Sequence, residues 1–129
     1  MVAFPTVRVA AIQATPVILD AEGCIAKAVR LLHEAADAGV RLAVLPECFV
    51  PLYPSNAWAS HAAGFSGWDE LWERLWENSV DVPGPLLDRL AAVCRERSMF
   101  CAVGVNERES ERPGTLYNSG RSACARAGA

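Results

Sequence analysis

A chain of 129 residues with 52% hydrophobic and 21% charged residues has the size and composition of one folded domain, which argues against a disordered protein. The formal net charge is −3 and the basic residues are scattered, so the sequence predicts no nucleic-acid partner. No apolar run approaches the roughly 18 residues of a membrane span, and the N-terminus lacks a charged-then-apolar leader, so a cytoplasmic protein without membrane contact is expected.

The first predicted elements are a strand and a helix. Residues 7–14 (VRVAAIQA) are apolar on both faces and read as a buried strand, which Thr15 and Pro16 end. Asp20 can cap the following helix, and Gly39 supplies its C-terminal stop. The apolar stripe of that helix recurs at helical spacing and consists of Ile25, Ala28, Val29, Leu32 and Ala36.

The second predicted strand is followed by Glu47, the best candidate for a catalytic residue in this sequence. The continuous apolar run at 42–45 predicts a strand that is buried on both faces and parallel to the first. Pro46 ends it, so Glu47 follows its carboxyl end, where catalytic groups gather in α/β sheets. The apolar loop at 49–54, which includes Tyr53, should leave this carboxylate poorly solvated and suited to general-base work. The competing interpretation is a solvated or ion-paired glutamate at a strand end.

The chain continues with two more helices. Residues 66–79 carry a helical stripe of two leucines and three tryptophans, for which core packing or a subunit contact is favoured over a substrate platform. Residues 86–97 form another amphipathic helix.

A third buried strand at 99–105 should lie parallel to the first two, with Asn106 and Glu107 at its carboxyl end. Glu107 would then share one cleft with Glu47 and Tyr53.

The remaining features of the sequence are its last ten residues and its cysteines. Residues 120–129 show neither helical nor strand periodicity and predict an irregular tail. The five cysteines are odd in number and have no CxxC spacing, so no disulfide framework, metal site or cofactor is expected. Each cysteine is predicted to be a reduced, buried hydrophobe.

Several segments together carry a family resemblance that covers residues 6–119. They are VRVAAIQATPV (7–17), LAVLPECFVPLYP (42–54), ENSVDVPGP (77–85) and AVGVNERE through GTLYNS (102–119). The sequence resembles the N-terminal part of the nitrilase (carbon–nitrogen hydrolase) superfamily, and its nitrilase branch in particular. The resemblance implies an α/β fold, in which one parallel-rich sheet with flanking helices forms part of an αββα sandwich. It also implies that the full-length protein is a homo-oligomer acting on a small nitrile or amide.

In that family a glutamate, a lysine and a cysteine form the catalytic triad that converts a nitrile to a carboxylic acid and ammonia. Glu47 matches the glutamate, the general base. In the family, the lysine and the nucleophilic cysteine lie further along the sequence. This chain departs from the family pattern at Gly120, so neither residue can be matched to it. Lys27, the only lysine, occupies a solvated helix position, and Cys48 should point away from Glu47. The chain alone is therefore expected to be inactive, the alternatives being a truncated non-catalytic subunit or an α/β binding module.

Overall fold

A computed structural model of the chain describes residues 4–54, 64 and 67–124. In these residues three helices accompany four strands, and no helix among them is both long and apolar enough to cross a bilayer. In chain order the elements are β1 (Val9–Ala11), α1 (Ala21–Asp37), β2 (Leu42–Val44), α2 (Trp68–Glu77), α3 (Pro85–Glu96), β3 (Phe100–Arg108) and β4 (Leu116–Cys124). The predicted α/β class and the order of its strands and helices are confirmed.

The four strands form one sheet in the order β1-β2-β3-β4. The first three strands are parallel, as predicted, and β2 is flanked on both sides, with Ala43 opposite Ala10 and Cys101. The fourth strand is antiparallel to β3 and pairs with it along its whole length. The prediction of an irregular tail from residue 120 is therefore wrong for residues 120–124, which belong to β4.

One face of the sheet is covered by α1 and α3. The Asp20 side chain caps α1 by accepting a 2.8 Å hydrogen bond from the Gly23 amide, and Gly39 follows the helix with a φ of 77°. The side chains that fill the core are apolar and almost fully excluded from solvent: Cys24, Ile25, Ala28 and Leu32 of α1, Leu90, Val93 and Cys94 of α3, and Ala43, Cys101, Val103 and Val105 of the sheet. We call this side the helix face.

The opposite face of the sheet, which we call the open face, is apolar and exposed. Val9 and Val44 are 59% and 43% exposed, and Leu42 and Phe100 are exposed as well. The prediction that β2 is buried on both faces is therefore wrong for the described residues, because only Ala43 points to the core. Side chains alternate along a strand, so covering one face leaves every second apolar residue in solvent.

Helix α2 packs away from the main core. Leu71 and Leu75 are buried against Leu52, whereas Trp68 and Trp72 remain exposed. The indole of Trp72 donates a 2.9 Å hydrogen bond to the Gly114 carbonyl in the turn between β3 and β4. The two leucines of the predicted helical stripe therefore form the packed cluster, and the rings of Trp68 and Trp72 lie at the edge of that cluster.

Candidate active site on the open face

The loop that carries Glu47 is held against β3. After β2 the chain continues alongside β3, with a 2.8 Å hydrogen bond from the Leu45 amide to the Ala102 carbonyl and a 3.2 Å bond from the Gly104 amide to the Pro46 carbonyl. Val50 then forms an isolated parallel bridge with Val105. Glu47 thus lies three residues beyond the last residue of β2, within a segment whose backbone is tied to the neighbouring strand.

Close approach of this loop depends on Gly104. A Cβ atom at residue 104 would lie 2.5 Å from the Cys48 amide nitrogen, 2.6 Å from the Glu47 Cα and 2.7 Å from the Pro46 carbonyl oxygen. These are backbone atoms, so no side-chain rotation could relieve the overlap. Glycine is therefore required for Glu47 to sit where it does.

The Glu47 side chain is exposed, and its carboxylate accepts a hydrogen bond from β4. The side-chain amide of Asn118, on β4, donates to Glu47 Oε1 at 2.5 Å. The prediction that apolar loop residues leave this carboxylate poorly solvated is wrong for the described residues, because the loop's apolar side chains Phe49, Val50 and Leu52 turn into the core. Glu47 instead borders an open recess of about 460 Å³, whose other walls include Val44, Ala102 and Gly104.

Cys48 faces the protein interior, in contrast to its neighbour. Its φ is 47°, and the buried thiol donates to Asn106 Oδ1 at 3.4 Å. The Asn106 side chain in turn donates a 2.6 Å bond to the Leu52 carbonyl. Burial, together with the nearby charge of Glu47, raises the pKa of the Cys48 thiol to about 11. The thiol is therefore protonated near neutral pH and points away from the exposed carboxylate.

Tyr53 lies in an adjoining cavity of about 250 Å³. Trp72 and Leu116 form further walls, and Asn106 and Cys48 also line the cavity. Asn118 borders both this cavity and the recess beside Glu47, so it stands between the aromatic pair and the carboxylate. Tyr53 was expected to lie near Glu47, and Asn118 lies between them. The sequence analysis did not predict a role for this asparagine.

Glu107 does not join Glu47. It follows Asn106 on β3 and points to the helix face, where its carboxylate accepts hydrogen bonds from the Ser119 hydroxyl, at 2.7 Å, and from the Arg121 guanidinium. Partial burial opposes ionisation, yet these two hydrogen bonds hold the pKa of Glu107 below its ordinary value. The proposed pairing of two carboxylates in one cleft is not what the structure shows.

Two other groups considered from the sequence have their own partners. Lys27 donates to the carbonyl and the hydroxyl of Thr15, at 2.9 and 3.4 Å, and belongs to α1 on the helix face. Cys124 is exposed, so the prediction of a buried cysteine fails there, while the other four cysteines are buried as predicted. In residues 4–54, 64 and 67–124, no three His, Cys, Asp or Glu side chains are grouped so that they could hold a metal ion.

Comparison with known proteins places these features in context. The sequence profile of the carbon–nitrogen hydrolase family matches residues 8–121. A protein named nitrilase 3, from an unknown prokaryotic organism, is 38% identical over 114 residues. A bifunctional nitrilase/nitrile hydratase from Nicotiana tabacum is 36% identical over 115 residues. Each alignment covers 88% of this chain but only 33% and 32% of the relative, so the chain spans about a third of their length.

Solved structures agree on the fold. A carbon–nitrogen hydrolase superfamily protein from Xanthomonas campestris, whose active site holds an arsenic adduct, superposes with a TM-score of 0.66 at 18% sequence identity. The superposition covers 92% of this chain and 37% of that one. At this identity the likeness concerns the fold alone.

Proposed function

Because the chain belongs to the carbon–nitrogen hydrolase family, we propose that it supplies the general base of a nitrile-hydrolysing site and that Glu47 is that base. The observation that carries the proposal is the position of its carboxylate. It follows the carboxyl end of the central parallel strand, on the open face, and is hydrogen-bonded to Asn118. Because the carboxylate is exposed, it remains accessible to the group whose proton it would take.

The chemistry follows the triad that the family resemblance implies. Glu47 would accept the thiol proton of a cysteine, whose sulfur then bonds to the nitrile carbon and gives a thioimidate. Water adds to that carbon, and a lysine ammonium stabilises the charge that develops in the tetrahedral intermediate. Ammonia leaves when the C–N bond breaks, and a second water cleaves the thioester to release the carboxylic acid. If the C–S bond breaks first, the product is the amide.

These 129 residues supply the base but neither of its partners. Lys27 is bound to Thr15, and the Cys48 thiol is buried and hydrogen-bonded to Asn106. Since removing one member of a catalytic set can abolish nearly all of its effect, a protein of these residues alone should not turn over nitriles. In the full-length protein, which we expect to be a homo-oligomer, a lysine and a cysteine from further along the sequence would complete the triad.

The test joins residues 6–119 to the remaining two-thirds of the 38%-identical nitrilase. We expect this chimera to convert aliphatic or aromatic nitriles, with ammonia and amide both quantified, and Glu47→Gln to reduce the rate by at least 100-fold, the scale of general-base catalysis. Glu73→Gln, which alters an exposed carboxylate on α2, is the matched control and should leave the rate unchanged. A Glu47→Gln chimera as active as the parent would refute the proposal.

The unmodified 129-residue chain provides a second, independent measurement. It should release no ammonia or amide above its own Glu47→Gln variant. Turnover that required Glu47 and disappeared in Cys48→Ala would show that the chain is an enzyme in its own right, and would overturn the conclusion that Cys48 is not a nucleophile.

The exposed apolar residues of the open face favour one alternative function, that of a non-catalytic subunit that lends a surface to an oligomer. Stable assembly of the chain with a full-length relative, with no gain in turnover that depends on Glu47, would support this alternative over the first.

A further inference from the structure

The cavity of about 250 Å³ beside Asn118 has walls that are mainly apolar and partly aromatic. Tyr53 and Trp72 contribute aromatic rings, and Leu116 contributes an aliphatic side chain. None of the described residues that line the cavity carries a charged side chain. Such a cavity favours an uncharged, apolar ligand, because a charged group would lose hydration there without gaining an ion-pair partner.

The size of the cavity limits what it can hold. Sites for drug-sized ligands measure about 300–1,000 Å³, so a cavity of about 250 Å³ suits a smaller body, such as a single ring. Aromatic rings attract one another in offset-stacked or edge-to-face contacts beyond what their buried area alone provides. The two ring walls therefore favour an aromatic ring over a saturated ring of the same size.

Hydrogen bonds fix the position of both aromatic walls. The Trp72 indole donates to the Gly114 carbonyl at 2.9 Å, which orients its ring against the turn between β3 and β4. Immediately before Tyr53, the Leu52 carbonyl accepts a 2.6 Å bond from the buried side chain of Asn106. Walls that are ordered before a ligand arrives lose little conformational entropy when it binds.

The cavity adjoins the recess that Glu47 borders. Asn118 lines both spaces and donates to the Glu47 carboxylate, so the two spaces meet at this side chain. A ring in the cavity would place a short substituent on the side of Asn118 where the carboxylate lies. A ligand with a carboxylate of its own would be repelled by Glu47.

We propose that this cavity is the subsite for the organic group of the substrate, and that Tyr53 and Trp72 make the site selective for nitriles with one uncharged aromatic ring. The inference rests on the proposed function of Glu47, because the nitrile group is taken to lie near that carboxylate while the ring occupies the cavity. Trp72 is then part of a substrate platform, which the sequence favoured less than packing or a subunit contact.

Ligand-observed fluorine NMR of 4-fluorobenzonitrile with the 129-residue chain tests the proposal without requiring turnover. We expect saturable broadening of the fluorine signal and displacement of this probe by benzonitrile. Cyclohexanecarbonitrile, whose saturated ring is of similar size, should compete about threefold less well than benzonitrile. The anionic 4-cyanobenzoate should compete about tenfold less well.

Variants of the two ring walls identify the residues responsible. Trp72→Ala and Tyr53→Leu should each weaken binding of the probe by about tenfold, and Trp72→Phe, which retains an aromatic ring, should recover most of the affinity. Both side chains are partly exposed, so neither change should unfold the chain, and circular dichroism checks that the helices persist. Trp68→Ala removes an exposed tryptophan of the same helix that does not line the cavity, and this matched control should leave the affinity unchanged.

Three results would each overturn the proposal. They are no saturable binding of the probe, binding of 4-cyanobenzoate as tight as that of benzonitrile, and a probe affinity that is unchanged in both Trp72→Ala and Tyr53→Leu. Because these measurements need no turnover, they fail independently of the proposed function, which fails if hydrolysis by the chimera is insensitive to Glu47→Gln.

Discussion

Asn118 on β4 donates its side-chain amide to the carboxylate of Glu47, which lies 71 residues earlier in the chain. The bond joins the edge strand of the sheet to the loop that follows the central strand. It also gives Glu47 a defined orientation although its side chain is exposed. The edge strand is thus part of the candidate site and not only a border of the sheet.

The first prediction is that Asn118 and Glu47 are energetically coupled. Asn118→Ala should lower the free energy of unfolding by about 1 kcal/mol, the usual net value of one hydrogen bond. Chemical denaturation of Asn118→Ala, Glu47→Ala and the double variant provides the coupling energy. Ser122→Ala, on the same face of β4, should show no coupling to Glu47→Ala. Additive effects of the Asn118 and Glu47 changes would mean that the bond contributes nothing in solution.

The second prediction compares two glycines that face each other across β3 and β4. Gly104→Ala should destabilise the fold by about 1–3 kcal/mol, because the new methyl group overlaps backbone atoms of the Glu47 loop. Gly120→Ala has no atom within 4 Å of the new Cβ and should change stability by less than about 0.5 kcal/mol. Thermal or urea unfolding of the two variants distinguishes them, and equal effects would contradict the close approach at Gly104.

Sequence reasoning found the central strands and Glu47 because both depend on local signals. Continuous apolar runs identify parallel strands, and Pro46 marks where the second one stops pairing. Strand β4 was missed because its residues, LYNSGRSAC, carry no apolar period. It forms through pairing with β3, which already has its own local signal. Asn118 could be recognised only once that pairing was known.

The placement of Glu107 failed for a different reason. Locating a residue at the end of a strand identifies the edge of the sheet but not the face. Asn106 and Glu107 are neighbours, so one points to the open face and the other to the helix face. The solvation of Glu47 was also misjudged, because the apolar side chains of its loop turn into the core and leave the carboxylate exposed.

The third prediction concerns pH. Because the pKa of Glu107 is held below its ordinary value of 4.5, this group stabilises the fold above pH 4.5, and the contribution is lost as the pH falls through the lower folded-state value. Glu107→Gln should therefore be less stable than the parent at pH 7, and the difference should shrink below pH 4.5. Unfolding measured between pH 3 and pH 7 tests this. Glu96→Gln, a change at the exposed end of α3, is the control, and its stability should vary with pH as that of the parent does.

The fourth prediction concerns thiol reactivity. Cys124 is exposed, whereas the other four cysteines are buried and the pKa of Cys48 is raised to about 11. Brief treatment of the native chain with iodoacetamide at pH 7.5 should therefore label Cys124 much faster than Cys48. Mass spectrometry of the peptides gives the two rates, and Cys124→Ser should leave little rapid labelling. Rapid labelling of Cys48 in the folded chain would show that its thiol is more accessible than its hydrogen bond to Asn106 implies.

The pairing of β4 with β3 has a consequence for how this part of the molecule tolerates sequence change. Asn118 points to the open face and Arg121 to the helix face only because β4 meets β3 in one register. A shift of a single residue would exchange the two sides, removing the donor from Glu47 and the guanidinium from Glu107 together. Losing or gaining one residue in the 109–115 turn would therefore be more damaging than replacing any side chain within it.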